Sequence, residues 1–237
     1  NLVDARPQDA AGFARFTDRY RAALAGTPAG DPIIDDFVAL SRKLDFAPEW
    51  TEAFLASMAA DLTRRFYRTE EETLAYIYGS AEVIGLFMAK IMRLPEEAQA
   101  AARMLGRAMQ FINFIRDVAE DTGLGRRYLP LERGGEPLLE GVPEDWLPDR
   151  GWARARPAKW TAYVQGHLAR YAVWQAEAEA GYRYIPRRAR LAVRTAGDMY
   201  NWTARQIAAD PFVVFERKVK PKKSRIVWQA LWNGLRG

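Results

Sequence analysis

Apolar residues in this chain recur at intervals of three and four rather than two, the spacing of amphipathic helices. Phe13, Phe16, Tyr20 and Leu24 make one such stripe. Ile33, Ile34, Phe37, Leu40 and Leu44 make a second behind Pro32, and Phe54, Met58, Leu62 and Phe66 a third behind Pro48. A helix tolerates proline in its first turn, where the missing N–H would have had no partner, so both prolines mark helix starts. A fourth helix is predicted from about Glu70 to Arg93, stopping before Pro95, and a fifth from about Glu96 to Asp121. The pattern lapses over residues 122–160, which hold six of the 17 glycines and five of the 13 prolines and read as a loop or loosely structured lid. Helices resume over roughly Thr161–Ala180 and Arg187–Ala209, and an amphipathic stretch closes the chain. No alternating strand pattern of useful length and no internal repeat is visible. The expected fold class is all-α, one domain over residues 1–237.

With 237 residues, 49% apolar and 27% charged, the chain can bury a core and is too apolar for wholesale disorder. No run of about 18 uncharged apolar residues occurs, the length a bilayer span needs. The longest apolar stretch, residues 83–92, contains Lys90 and follows Glu82. There is no cysteine and one histidine, so thiol chemistry, disulfide frameworks and His-rich zinc sites are excluded. His167 has no partner nearby in sequence and is expected to be a surface or hydrogen-bonded imidazole. Trp160, Tyr163, Tyr171 and Trp174 are expected to form a packing stripe. No secretory leader pattern opens the sequence given, and the expected location is cytoplasmic.

The net charge of +5 is concentrated in one place. Residues 216–225 hold six basic side chains and one acid, and the remainder carries 29 of each sign. A neutral body with one basic segment argues against a broad nucleic-acid face, and no nucleic-acid partner is expected.

The chemistry-bearing segment is QFINFIRDVAEDTGLGRRYLP, residues 110–130. On a helix, Gln110, Asn113, Asp117 and Asp121 point within roughly 80° of one another. Two carboxylates and two carboxamides thus form a polar stripe flanked by Phe111, Ile112, Phe114, Ile115 and Val118. Such a stripe in an apolar face is costly unless something satisfies it, and two aspartates one turn apart repel. A hard divalent cation such as Mg²⁺, which takes carboxylate and amide oxygens, removes both costs. The plainer alternative is a solvated helix face with incidental acids.

NFIRDVAED followed by GRRYLP closely resembles the second aspartate-rich motif of the squalene/phytoene synthase family. YIYGSAEVIGLFM, residues 76–88, resembles the family's Tyr-x-Tyr-Gly helix, and the likeness extends over nearly the whole chain. It implies a single-domain helical bundle of the isoprenoid synthase type with a central cavity. The opening Asn1-Leu2-Val3-Asp4 resembles the last four residues of the family's first DxxxD motif, so Asp4 matches its second acid and the chain looks truncated relative to the family.

The resemblance implies that Asp4, Asn113, Asp117 and Asp121 bind metal, Mg²⁺ with Mn²⁺ as the alternative ion. Gln110 and Arg116 match positions near the substrate diphosphate, and Tyr76 matches a tyrosine at that end of the pocket. Asp4, Asp117, Asp121, Tyr76 and Arg116 are the catalytic set it implies. Ser80, Ala81, Ile84 and Gly85 line the same helix as Tyr76, small side chains there leaving room for an isoprenoid tail. Tyr200 and Arg217, within MYNWTARQIAADPFVVFER, match positions that reach diphosphate. Arg126, Arg127 and Tyr128 belong to a loop that closes over the reaction in the family, and Glu82 stands where members often have Gly. For the tyrosines the plain alternative is a core role. For Ala81 and Gly85 it is close helix packing, and for Arg217 membership of the basic segment.

The implied activity is head-to-head condensation of two prenyl diphosphates, phytoene from geranylgeranyl diphosphate being favoured. Squalene or dehydrosqualene from farnesyl diphosphate is the alternative, and a non-catalytic assembly factor of the same fold is an alternative of another class. Separately, residues 218–237 read as a basic amphipathic tail, in which Trp228, Leu231, Trp232 and Leu235 fall on one helical face just after the basic residues of 216–225. That combination suits an interfacial helix on anionic lipid, giving peripheral contact with the inner face of the membrane, and equally suits a helix packed on the bundle.

Overall fold

The computed structural model describes residues 2–3 and 7–235. The first three helices are α1 (Ala10–Leu24), α2 (Pro32–Leu44) and α3 (Pro48–Thr63). Asp31 caps α2 by accepting the Ile33 N–H at 3.1 Å, and both prolines open their helices as expected. The third stripe overruns its helix: Phe66 lies beyond Thr63 and pairs with Arg127 in an isolated parallel bridge.

The fourth predicted helix is one rod in three parts, α4 (Glu70–Ile77), a π turn (Tyr78–Glu82) and α5 (Val83–Ile91). Thr69 and Glu72 form a capping box at its start. The π turn was not expected, because one extra residue in a turn leaves the apolar spacing nearly unchanged. The rod is long and apolar enough by composition to cross a membrane. Its flanks, however, pack on α3 and on α6 (Ala98–Arg116), and Glu82 at its centre is fully buried. That carboxylate accepts from Arg103 Nε at 3.0 Å and Arg107 Nε at 2.6 Å, so the acid at a position where glycine was anticipated ties the rod to α6.

The fifth predicted helix divides at Asp117 into α6 and α7 (Val118–Gly123). Residues 122–160 are less loose than their composition suggests. They hold a two-residue hairpin, β1 (Glu132–Arg133) with β2 (Glu136–Pro137), and α8 (Arg150–Ala155). The hairpin turns on Gly134 and Gly135, both at positive φ as such a tight turn requires. Buried Arg127 fastens the segment by donating to the carbonyls of Leu129, Tyr67, Glu144 and Trp146. The chain then forms α9 (Pro157–Ala180), α10 (Arg187–Ala209) and α11 (Lys223–Leu235).

The main core lies between α6 and α9, where Phe111, Ile112 and Ile115 meet Trp160, Tyr163, Tyr171 and Trp174. These four α9 aromatics form the expected packing stripe. His167 departs from expectation: it is fully buried, with its ring edge-on to Phe111 and Tyr163. No hydrogen bond of ordinary geometry reaches its nitrogens, and burial pushes its pKa down to about 3, so it serves as a neutral packing ring.

Candidate active site

The polar stripe forms as the helix spacing predicts. Asn113, Arg116, Asp117 and Asp121 are each partly buried, between the fully buried neighbours Ile112, Phe114, Ile115 and Val118. The backbone stays in register through the break at Asp117, with Asp117 N–H bonded to Asn113 O (2.8 Å) and Asp121 N–H to Asp117 O (2.9 Å). Arg116 grips the Asp117 carboxylate through Nε (2.8 Å) and Nη2 (2.5 Å). Lys218 bonds Glu120 and approaches Asp117 at 3.5 Å, so the segment after α10 is tied to the stripe.

Among the described residues Asp121 has no such partner, and its pKa is pushed up to about 7, first by burial and then by Asp117 and Glu120. Buried Asp61, on α3, adds to the same repulsion. It accepts from the Tyr76 and Tyr128 hydroxyls, each at 2.8 Å, while its carbonyl accepts from Arg126 (2.8 Å). Tyr128 stacks on Phe114 with ring centres 4.5 Å apart and lies 5.1 Å from the Tyr76 ring. Tyr76 therefore joins the stripe through Asp61 and Tyr128, and burial raises its hydroxyl pKa further above the ordinary tyrosine value.

Beside the stripe, a cleft of about 710 Å³ runs between α10 and α11. Leu191, Met199, Ile226 and Ala230 are among its apolar walls, and Arg116, Tyr200 and Lys220 supply polar groups. Ser80, Ala81, Ile84 and Gly85 are not among its lining residues. Gly85 instead faces α6: a Cβ there would stand 2.2 Å from the Ala102 carbonyl oxygen. Ile84 is exposed, and the buried Ser80 hydroxyl has no partner. Arg217 is exposed, and its neighbour Lys218 makes the contact with the stripe. Gln110 is partly buried on α6 one turn before Asn113. Asp4 lies outside the described residues.

The family model for squalene/phytoene synthase matches residues 2–225. The chain belongs to the squalene/phytoene synthase family. Among its relatives, phytoene synthase from Rhodobacter capsulatus is 31% identical over 94% of this chain and 64% of its own. The 15-cis-phytoene synthase from Synechocystis sp. is 32% identical over 94% of this chain and 69% of its own. This family member thus spans about two thirds of the length of those relatives. Among solved structures, a dehydrosqualene synthase in complex with ligand superposes with a TM-score of 0.77 at 20% identity, over 99% of this chain and 81% of that one. A squalene synthase from Alicyclobacillus acidocaldarius gives 0.67 at 19%, over 90% and 76%. These likenesses establish the isoprenoid synthase fold.

The donor set of the stripe suits a hard cation. Asn113 Oδ1 is buried without a hydrogen-bond partner among the described residues, and the excess of carboxylates around Asp121 is what a divalent ion neutralises. Among the described residues no three acids or histidines form a ready-made metal cluster. Asp61, Tyr128 and Lys218 are site residues that the sequence reading did not single out for these contacts. Two of the side chains bonded to Asp61, Tyr76 and Tyr128, lie 15 and 67 residues away in sequence.

Proposed function

We propose that the family member acts as a phytoene synthase-type prenyltransferase, joining two allylic prenyl diphosphates head to head, with geranylgeranyl diphosphate the favoured substrate. The observation that carries this reading is the apolar cleft with Arg116, Tyr200 and Lys220 among its lining, Arg116 in turn holding Asp117 of the stripe, although Asn113, Asp117 and Asp121 do not themselves line the cleft. A substrate with a polyanionic head and a hydrocarbon tail matches both features. The phytoene synthase names of the relatives give the same direction.

Asn113, Asp117 and Asp121, together with Asp4, would hold Mg²⁺, with Mn²⁺ as the alternative ion. Bound there, the ion supplies Lewis acidity and charge neutralisation to a departing diphosphate. Arg116 would bind diphosphate oxygens, a guanidinium being suited to that by its permanent charge and forked donors. Arg116 is also hydrogen-bonded to Asp117, so it holds that acid in place between substrates. The C1–O bond of one substrate breaks, leaving an allylic cation and a free diphosphate. The double bond of the second substrate attacks that cation, and loss of a proton to the released diphosphate closes the ring of a cyclopropylcarbinyl diphosphate. That intermediate ionises, releasing the second diphosphate, and its cation rearranges and loses a second proton to give the hydrocarbon. Leu191, Met199 and Ile226 would lie against the hydrocarbon tails.

The test is incubation of the full-length protein with Mg²⁺ and each prenyl diphosphate, reading pyrophosphate release and identifying the hydrocarbon. Asp117→Ala is expected to lower release by about a hundredfold or more, the scale of losing a charge-stabilising group at a reacting centre. Undiminished turnover would defeat the assignment of the stripe, and a wild-type protein that releases no pyrophosphate from any substrate would favour the non-catalytic reading.

A further inference from the structure

Helix α11 packs with its polar side inward. Gln229 and Asn233 turn toward α10, where both amides donate to Asp198 Oδ2 (2.8 and 2.7 Å) and Asn233 also reaches the Thr195 hydroxyl (3.3 Å). The opposite side is apolar and faces outward: Val227 is 58% exposed, Trp228 74%, Leu231 58% and Leu235 84%. A helix whose outer face served only solvent would show the reverse arrangement.

The charges are also placed against the helix's own preference. The first turn of α11 contains no acid, and Lys222, Lys223 and Arg225 sit at its start, where the macrodipole favours anions. Lys220, Lys222 and Lys223 are exposed, and none takes part in an ion pair among the described residues. Lys218, by contrast, is consumed by Glu120 and Asp117. Among the described residues, neither the outward Trp/Leu face nor the unpaired lysines improve packing. Both features suit one external partner, a surface that is apolar beneath and negatively charged above.

We propose that α11 is the docking element by which the protein lies on an anionic lipid bilayer, with Val227, Trp228, Leu231 and Leu235 entering the interface and Lys220, Lys222 and Lys223 meeting lipid phosphates. The inner side of the same helix contributes Ile226 and Ala230 to the cleft wall, so docking sets the cleft beside the lipid. The docking surface stands on α11 and the lysines just before it, whatever substrate the cleft takes.

The test is co-sedimentation of the full-length protein with vesicles of phosphatidylcholine alone or mixed equally with phosphatidylglycerol. Wild type is expected to pellet with the mixed vesicles and to remain largely in solution with phosphatidylcholine. K220Q/K222Q/K223Q is expected to lose about a hundredfold in partitioning, at the usual contribution of each cation near an anionic surface. W228S/L231S/L235S is expected to lose at least about tenfold through lost apolar burial. Equal partitioning of wild type onto both vesicles, or variants that pellet like wild type, would overturn the proposal. So would a wild type that stays in solution as a dimer and becomes monomeric in W228S/L231S/L235S, since a second copy would then be what covers the face. The wild-type comparison between vesicles needs no variant, so the proposal remains testable if one fails to fold.

Discussion

Asp121 sits partly buried beside Asp117, Glu120 and, with the smallest effect, Asp61, and that has a cost in the metal-free protein. The raised pKa of Asp121 means that the folded chain keeps a proton which the unfolded chain releases between the ordinary aspartate value of 3.8 and about 7. The native state binds more protons across that window, so stability falls as pH rises through it. Asp121→Asn removes the penalty. At pH 8 without metal the variant is expected to be more stable by about 1 kcal/mol, a rise in Tm of about 2–4 °C, and below about pH 4 the difference should vanish. Melting curves at the two pH values check this, and a variant no more stable at pH 8 would show that Asp121 is not strained by its neighbours. The same variant should lose stabilisation by Mg²⁺, a readout independent of turnover. Part of the stripe was legible in the sequence because Asn113, Asp117 and Asp121 share one helical face. Asp61 was not, because tertiary packing alone brings Tyr76 and Tyr128 to it.

At the scale of elements, proline placement and apolar spacing were enough to locate α2, α3 and α10, and the last of these runs over the residues expected. The π turn after Ile77 and the division at Asp117 were hidden, since neither disturbs the order of apolar and polar residues. The loop-like composition of residues 122–160 likewise concealed how firmly Arg127 pins them, because a single buried guanidinium satisfying four carbonyls leaves no sequence pattern. Small residues on α5 and α6 are explained by contact between backbones: a Cβ on Gly85 would meet Ala102 O at 2.2 Å, and one on Gly106 would meet Ala81 O at 2.3 Å. Gly85→Ala should therefore force the helices apart and destabilise by about 1–3 kcal/mol. Gly166→Ala, inside α9 with nothing within 4 Å of the new methyl, should stabilise by about 0.5–1 kcal/mol. Denaturant midpoints of the two variants should move in opposite directions, and parallel shifts would contradict close packing at Gly85.

Over the whole molecule, the neutral body and the basic segment before α11 assign different work to different surfaces. If lipid docking depends on Lys220, Lys222 and Lys223, partitioning onto phosphatidylglycerol vesicles should fall steeply as salt shortens the screening length from about 10 Å at 0.1 M to about 3 Å at 1 M. Substitutions confined to the buried Glu82 site should leave that salt dependence intact. Glu82 matters at an earlier moment. The 70–91 stretch is the most lipid-like part of the described chain, and until α6 is made its acid has neither Arg103 nor Arg107 as partner. An ionised carboxylate at the middle of a nascent hydrophobic segment raises the cost of entering a bilayer by about 3 kcal/mol. One acid thus separates this rod from a bilayer-spanning segment of the same length, and Arg103 and Arg107 meet its charge only when α6 packs against it.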